Sequence, residues 1–137
     1  MLNEAEILVE GEELSGRYLV EIARWTEGEW VATVPLLDAL VTNCRLILKP
    51  QGRRPYAPAS IPQHYIRDFE ELDLGMRLGV KIELTTGHTL NLFVRSTRGI
   101  EFSFAVRRLL IRPISPALKV KLPVTDINRL IETISAL

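Results

Sequence analysis

The chain has 137 residues, of which 47% are hydrophobic and 25% are charged, and its formal net charge is zero. This composition is ordinary for a soluble globular protein and excludes a mostly disordered chain. A chain of this length is expected to form one domain that buries roughly two thirds of the surface its unfolded form would expose.

Two features of the sequence bear on the compartment. No stretch approaches the ~18 apolar residues that a membrane-spanning helix needs, and the first residues are acidic, unlike a secretory leader. Cys44 is the single cysteine, so an internal disulfide is excluded. We therefore expect a cytoplasmic protein without a transmembrane segment.

The zero net charge conceals an uneven distribution along the chain. Residues 1–38 carry nine acids and two bases, whereas residues 39–137 carry eight acids and fifteen bases. Such a division predicts either an acidic and a basic side of one fold, or two parts that neutralise each other. The sequence leaves both alternatives open.

The first strands are indicated by period-two alternation of apolar and polar residues. This alternation predicts a strand over residues 16–25. A turn at Glu27 and Gly28 leads to a second strand over residues 29–34, which Pro35 is expected to end.

The stretch LVTNCRLIL, residues 40–48, is an apolar run with a polar centre. As one strand, it places Thr42 and Cys44 on the inner face among leucines, and Asn43 and Arg45 on the outer face. We therefore expect Cys44 to be a small core residue rather than a nucleophile.

The segment that follows, KPQGRRPYAPAS, is predicted to be an exposed loop because it is rich in proline and contains a glycine. Three bases cluster in it: Lys49, Arg53 and Arg54. After it, residues 61–71 predict a strand with a bulge or bend, and residues 79–94 predict a hairpin.

Helical spacing appears only in the last third of the chain. Apolar residues predict a helix over residues 98–112, which Pro113 ends. A proline-containing linker follows, and a short amphipathic helix begins after Thr125. The apolar stripe of that second helix contains Ile127, Leu130, Ile131 and Ile134.

This order of elements predicts a mainly β fold with α-helix at its C-terminal end. We expect a strongly bent antiparallel sheet or partly open barrel of about seven strands, capped by one helix, with an extra short C-terminal helix.

At residues 40–66 the sequence resembles a known family. LVTNCRLIL is similar to the strand of GRAM and bacterial pleckstrin-homology-like (PH-like) domains that reads apolar, Thr, Asn, any residue, Arg, apolar. Ile61, Pro62 and Ile66 resemble the next strand of that family. The resemblance implies a PH-like domain over residues 1–112, followed by a linker and C-terminal helix over residues 113–137.

The resemblance also implies a candidate ligand site. Similar domains often hold anionic lipid head groups with basic loop residues, a role that would fall here to Lys49, Arg53 and Arg54. Each base near an anionic membrane surface contributes about 1 kcal/mol. The alternative is that these three bases are simply solvated.

The function that we expect first is a non-enzymatic interaction module. Such a module would bind a protein segment through a sheet edge or through the groove beside the helix. Membrane-surface recognition through residues 49–54 is the alternative. The stripe of the last helix, from Ile127 to Ile134, is expected to pack on the domain, on a partner or on a second copy.

No set of residues in the sequence predicts catalysis, a cofactor, a metal site or nucleic-acid binding. His64 and His88 have no convergent partners nearby in sequence, so each is expected to be a surface histidine. The G-x-G-x-x-G, P-loop and G-x-S-x-G patterns are absent.

Overall fold

The computed structural model describes residues 8–50, 58–73, 77–95 and 98–122. Within these residues, seven strands form one antiparallel sheet with the order β4-β3-β2-β1-β7-β6-β5. The strands are β1 Leu14–Thr26, β2 Glu29–Thr42, β3 Arg45–Pro50, β4 Ala59–Pro62, β5 Ile66–Asp73, β6 Leu78–Leu84 and β7 Thr89–Val94. The expected mainly β fold is confirmed, and the sheet is open, with β4 and β5 at its edges.

Two helices follow the sheet in the described chain: α1 is Gly99–Ile111 and α2 is Pro116–Lys121. α1 lies where the sequence predicted the capping helix. It packs Phe102, Val106 and Leu109 against the inner face of the sheet, and all three are at most 1% exposed. Burying side chains of this size stabilises a fold by about 1.5–3 kcal/mol each.

The core lies between α1 and the inner face of all the central strands. The alternating residues of the strands supply it, as their period of two requires. Its fully buried members from the sheet include Val20, Ala39, Val41, Leu46, Ile61, Val80, Ile82, Leu84 and Leu92.

The expectation that Pro35 ends the second strand is wrong, because β2 continues to Thr42. The register of β1 and β2 shifts between Val20↔Leu37 and Ile22↔Val34, so Pro35 lies in a bulge. β3 pairs with β2 only from Leu37 onwards. A proline is tolerated at such a position because its missing N–H is not needed for pairing.

The expectation of one strand over residues 40–48 is also wrong. β2 ends at Thr42, β3 begins at Arg45, and the two strands pair as a hairpin around Asn43 and Cys44. Arg45 was expected to point outward, but it is 1% exposed. The polar centre of LVTNCRLIL is a turn.

Residues 61–71 form two strands rather than one bent strand. β4 ends at Pro62, a 3-10 turn covers Gln63–Tyr65, and β5 begins at Ile66. β4 and β5 are opposite edges of the sheet, so this turn carries the chain from one edge to the other. The predicted bend exists, but it separates two strands that pair with different neighbours: β4 pairs with β3, and β5 pairs with β6.

The predicted linker after Pro113 contains a short helix that the sequence pattern did not predict. Ser115 caps α2, since its side chain accepts a hydrogen bond from the Leu118 N–H (3.2 Å). Pro116 occupies the first turn, where a missing N–H costs nothing. The helix predicted after Thr125 lies outside the described residues.

Candidate partner-binding groove

A groove of about 490 Å³ lies between α1 and the edge strand β5. The end of β5, the start of β6 and one face of α1 form its walls. Its lining residues are Glu71, Leu72, Asp73, Leu78, Gly79, Gly99, Ile100, Ser103, Phe104 and Arg107.

Two of the lining glycines lie where a side chain would not fit. A Cβ at Gly99 would lie 2.5 Å from the Leu78 Cβ, so only glycine lets α1 begin directly against β6. A Cβ at Gly79 would lie 2.3 Å from the Leu92 carbonyl oxygen and 2.9 Å from the Phe93 ring. The Gly99 contact therefore brings the start of α1 against β6 at the groove, whereas the Gly79 contact brings β6 close to β7.

β5 presents an open edge to the groove. It pairs with β6 from Ile66 to Asp73, and no strand of the described residues pairs with its other side. The Phe69 N–H donates to the Asp68 carboxylate (2.8 Å). By the period of a strand, the backbone of Glu71 faces the same side as that of Phe69. An edge of this kind offers N–H and C=O groups for pairing with another segment.

α1 carries a second apolar stripe besides the one buried in the core. Ile100, Phe104 and Ile111 are 62%, 57% and 75% exposed. Their spacing of four and seven residues places them on one side of the helix. Because Ile100 and Phe104 also line the groove, its helical wall is apolar and open to solvent.

An ion pair joins the two walls of the groove. Arg107 of α1 donates to the carboxylate of Glu71 on β5. The Arg107 guanidinium also lies over the Phe104 ring, 5.6 Å from its centroid, which is within the range of a cation–π contact. Both side chains of the ion pair are about half exposed, so water screens their attraction.

Ser103 adds a polar atom at the back of the groove. Its Oγ is buried and has no hydrogen-bond partner in the described part of the chain. A buried hydroxyl without a partner costs about 1–3 kcal/mol. Ser103 therefore lines the groove, but its hydroxyl is an unused donor and acceptor that solvent does not reach.

The polar residues of LVTNCRLIL form a different kind of site, which anchors the segment before β1. Arg45 donates from Nε and Nη2 to the two carboxylate oxygens of Glu12, both at 2.8 Å, and from Nη1 to Ser60 Oγ (2.8 Å). Thr42 Oγ1 lies 2.8 Å from Glu12 Oε2, and the Cys44 thiol donates to the same oxygen (3.2 Å). We call these five residues the Arg45 cluster.

Two pKa values in the Arg45 cluster are shifted, in opposite directions that its burial and contacts explain. Burial alone would raise the pKa of Glu12, but hydrogen bonds from Arg45, Thr42 and the Val9 N–H lower it below its ordinary value of 4.5. Burial, with the neighbouring Glu12 carboxylate, raises the pKa of Cys44 to about 11. Cys44 is therefore a buried thiol, as expected, although it contacts the same carboxylate as Arg45.

The residues that the sequence predicted as sites are only partly described. Lys49 lies in β3 rather than in a loop; it is half-buried and pairs in register with Asp38 of β2. Arg53 and Arg54 lie outside the described residues, and so do Ile127, Leu130, Ile131 and Ile134. Lipid binding through residues 49–54 thus stays a prediction.

The two histidines lie near the surface, where the sequence placed them. His64 is exposed in the 3-10 turn, and His88 Nδ1 lies 2.8 Å from Thr86 Oγ1 in the β6–β7 turn. Within the described ranges, no group of three His, Cys, Asp or Glu side chains could hold a metal ion.

Comparison with known proteins adds little to this geometry. No protein-family model matches the chain, and no curated protein matches it. The chain is similar to a solved structure described as "Crystal structure of the C-terminal domain of an unknown protein from Leishmania infantum", with 18% identity and a TM-score of 0.49. The match covers 73% of this chain and 86% of that chain.

The groove was only partly foreseen from the sequence. A groove beside the helix was expected, but the residues that form it were not named. The available signal was the spacing of Ile100, Phe104 and Ile111, which lie off the core stripe of α1. Among the described helices, none is both long and apolar enough to cross a bilayer.

Proposed function

We propose that this chain is a non-enzymatic interaction module of the PH-like type, which binds an extended protein segment in the groove between α1 and β5. The observation that carries the proposal is the combination of an open strand edge with an exposed apolar helix face across one groove. An added strand and a helix groove are two recurring ways in which domains recognise peptides.

The backbone of β5 would supply affinity that does not depend on the ligand's sequence. A segment laid along β5 would exchange main-chain hydrogen bonds with alternate residues of that strand. These bonds would extend the sheet beyond its present edge.

The helical wall would supply selectivity. Every second side chain of an added strand would point towards α1, where Ile100 and Phe104 are more than half exposed. An apolar side chain at that position would remove both residues from water. Each Å² of apolar surface buried would contribute about 25 cal/mol.

The state of Cys44 supports a non-enzymatic role for the one cysteine. A thiol whose pKa is raised to about 11 carries very little thiolate at neutral pH. Its hydrogen bond to Glu12 belongs to the packing of the Arg45 cluster, and it lies outside the set of residues that line the groove.

The proposal is tested by selecting binders from a displayed library of random 12-residue peptides against the immobilised full chain. Selected peptides are then measured by fluorescence anisotropy against the wild type and the variant Ile100→Ser/Phe104→Ser. We expect at least tenfold weaker binding to the variant, because the apolar wall is lost. Amide hydrogen exchange in β5 should slow when peptide binds.

Val120→Ser provides a matched control, because Val120 is 86% exposed on α2 and is not a lining residue of the groove. It should bind the selected peptides as the wild type does. Failure to select any peptide, or equal binding to the wild type and the double variant, would reject the proposed function.

A further inference from the structure

We infer that the segment bound in the groove is basic, with basic and apolar residues in alternation. This inference rests on the proposed function and adds the chemical class of the partner. Two observations support the inference: the negative charge along the β5 edge and the apolar wall that α1 forms.

The β5 edge is acidic on both of its faces. The register with β6 places Glu71 opposite Val80, a core residue, so Glu71 and Asp73 lie on the face towards α1. Asp68 and Glu70 alternate with them and lie on the other face, where both are exposed.

The charges around this edge do not cancel. Three bases and five acids surround it: Arg67, Lys81, Arg107, Asp68, Glu70, Glu71, Asp73 and Glu83. Arg67 pairs with Glu83, Arg107 pairs with Glu71, and the register places Lys81 opposite Glu70. The eight charges sum to −2, so the edge is acidic overall.

This charge disfavours a second copy of the chain as the occupant. Antiparallel pairing of two β5 edges would bring acidic side chains opposite acidic side chains, which destabilises a sheet. Inward and outward charges on an edge strand are a recognised means of preventing self-pairing. A segment of opposite charge would instead gain from the same residues.

The two faces of β5 give the expected pattern of the bound segment. Side chains of an added strand that point away from α1 would lie beside Asp68 and Glu70, so Lys or Arg is favoured there. The alternate side chains would lie between Glu71, which Arg107 already neutralises, and the exposed Ile100 and Phe104, so apolar residues are favoured there.

The test uses three displayed peptide libraries that share alternating apolar positions. The other positions are restricted to Lys and Arg, to Asp and Glu, or to Ser, Thr and Gln. We expect enrichment on the full chain from the basic library, and at least tenfold weaker binding to Ile100→Ser/Phe104→Ser for the selected peptides. Their affinity should fall as salt is raised.

The deciding variant is Asp68→Asn/Glu70→Gln, which removes two charges but retains an acceptor for the Phe69 N–H. It should weaken the binding of the basic peptides roughly three- to tenfold, as expected when partly exposed ion pairs are lost. Glu27→Gln/Glu29→Gln removes the same charge from the tip of the β1–β2 hairpin and should change affinity less than twofold.

The outcomes separate this inference from the proposed function. Equal binding to the wild type and Asp68→Asn/Glu70→Gln, with loss only in Ile100→Ser/Phe104→Ser, would overturn the basic partner and leave the groove's function standing. No enrichment from any library would overturn both. A dimer in sedimentation whose formation protects β5 amides from exchange would show that a second copy occupies the edge, and would also overturn the inference.

Discussion

Two arginine–glutamate pairs join parts of the chain that are distant in sequence, and water reaches them to very different extents. The side chains of Arg45 and Glu12 are 1% and 0% exposed, whereas those of Arg107 and Glu71 are 51% and 48% exposed. The first pair fixes the segment before β1 to the β2–β3 turn. The second crosses the open groove between α1 and β5.

This difference in solvent exposure determines the role that each ion pair can have. A buried pair loses much hydration, so it persists only with further hydrogen bonds, which Thr42, Cys44 and Ser60 supply. An exposed pair typically contributes only 0–1 kcal/mol, roughly, so a ligand can replace it at small cost. We therefore assign the Arg45 cluster to the fold and the Arg107–Glu71 pair to the groove.

The largest expected effect comes from breaking the buried pair. Arg45→Ala should lower the free energy of unfolding by about 3–5 kcal/mol, because it leaves the Glu12 carboxylate buried without its cation. Arg107→Ala is the matched change at the exposed pair and should cost about 1 kcal/mol or less. Urea unfolding followed by tryptophan fluorescence measures both values. Equal losses in the two variants would contradict the comparison.

Alkylation of Cys44 reports on the same cluster without removing it. A pKa of about 11 in place of 9.0 lowers the thiolate fraction at neutral pH about a hundredfold. Iodoacetamide should therefore label the native chain at least a hundredfold more slowly than a free thiol of ordinary pKa. Labelling should accelerate in Arg45→Ala if that variant remains folded, and in urea if it does not. Rapid labelling of the native wild type would refute the buried cluster.

Acid should weaken the Arg45 cluster in a defined direction. The folded chain lowers the pKa of Glu12, so the stabilisation by its carboxylate is complete above the ordinary value of 4.5 and is lost as the pH falls below it. Stability measured from pH 7 to pH 3 should fall more steeply in the wild type than in Glu12→Leu/Arg45→Met. That variant replaces the pair by apolar side chains of similar size. Identical slopes would show that Glu12 does not titrate with folding.

The contrast between the two pairs also shows how far the sequence could be read. Alternation and helical spacing predicted the β1–β2 hairpin and α1, because a half-buried strand and an amphipathic helix leave these periods in the sequence. The Arg45 cluster was misread, since alternation assigned Arg45 to the outer face. Its partner Glu12 lies 33 residues away in sequence, and no local pattern encodes that contact.

The groove was harder to derive for a related reason. Its walls come from β5, the start of β6 and α1, and α1 reaches β6 only because Gly99 has no side chain to meet Leu78. Residues 61–71 could be recognised as extended, but the change of sheet edge at Gln63–Tyr65 is a tertiary event. Only the exposed stripe of α1 left a signal in the sequence.

The smallest predicted effect compares one serine from each site. Ser60 Oγ accepts a hydrogen bond from Arg45, whereas Ser103 Oγ is buried without a partner in the described chain. Ser60→Ala should lower the free energy of unfolding by about 1–3 kcal/mol, because a buried donor loses its acceptor. Ser103→Ala should raise it by about 0.5 kcal/mol or more, since alanine favours the helix and the variant no longer buries an unpartnered hydroxyl.

Peptide binding by Ser103→Ala tests whether the Ser103 hydroxyl has a role in recognition. If the bound segment uses the Ser103 hydroxyl, Ser103→Ala will be more stable than the wild type and yet bind the selected peptides more weakly. Thermal unfolding and fluorescence anisotropy on the same variant measure the two quantities. A variant that gains stability without losing affinity would exclude Ser103 from recognition, and a loss of stability would mean that its hydroxyl is already satisfied within the fold. Opposite signs for stability and affinity are what a polar atom held for a ligand requires, because the free domain bears its desolvation cost and the complex recovers it.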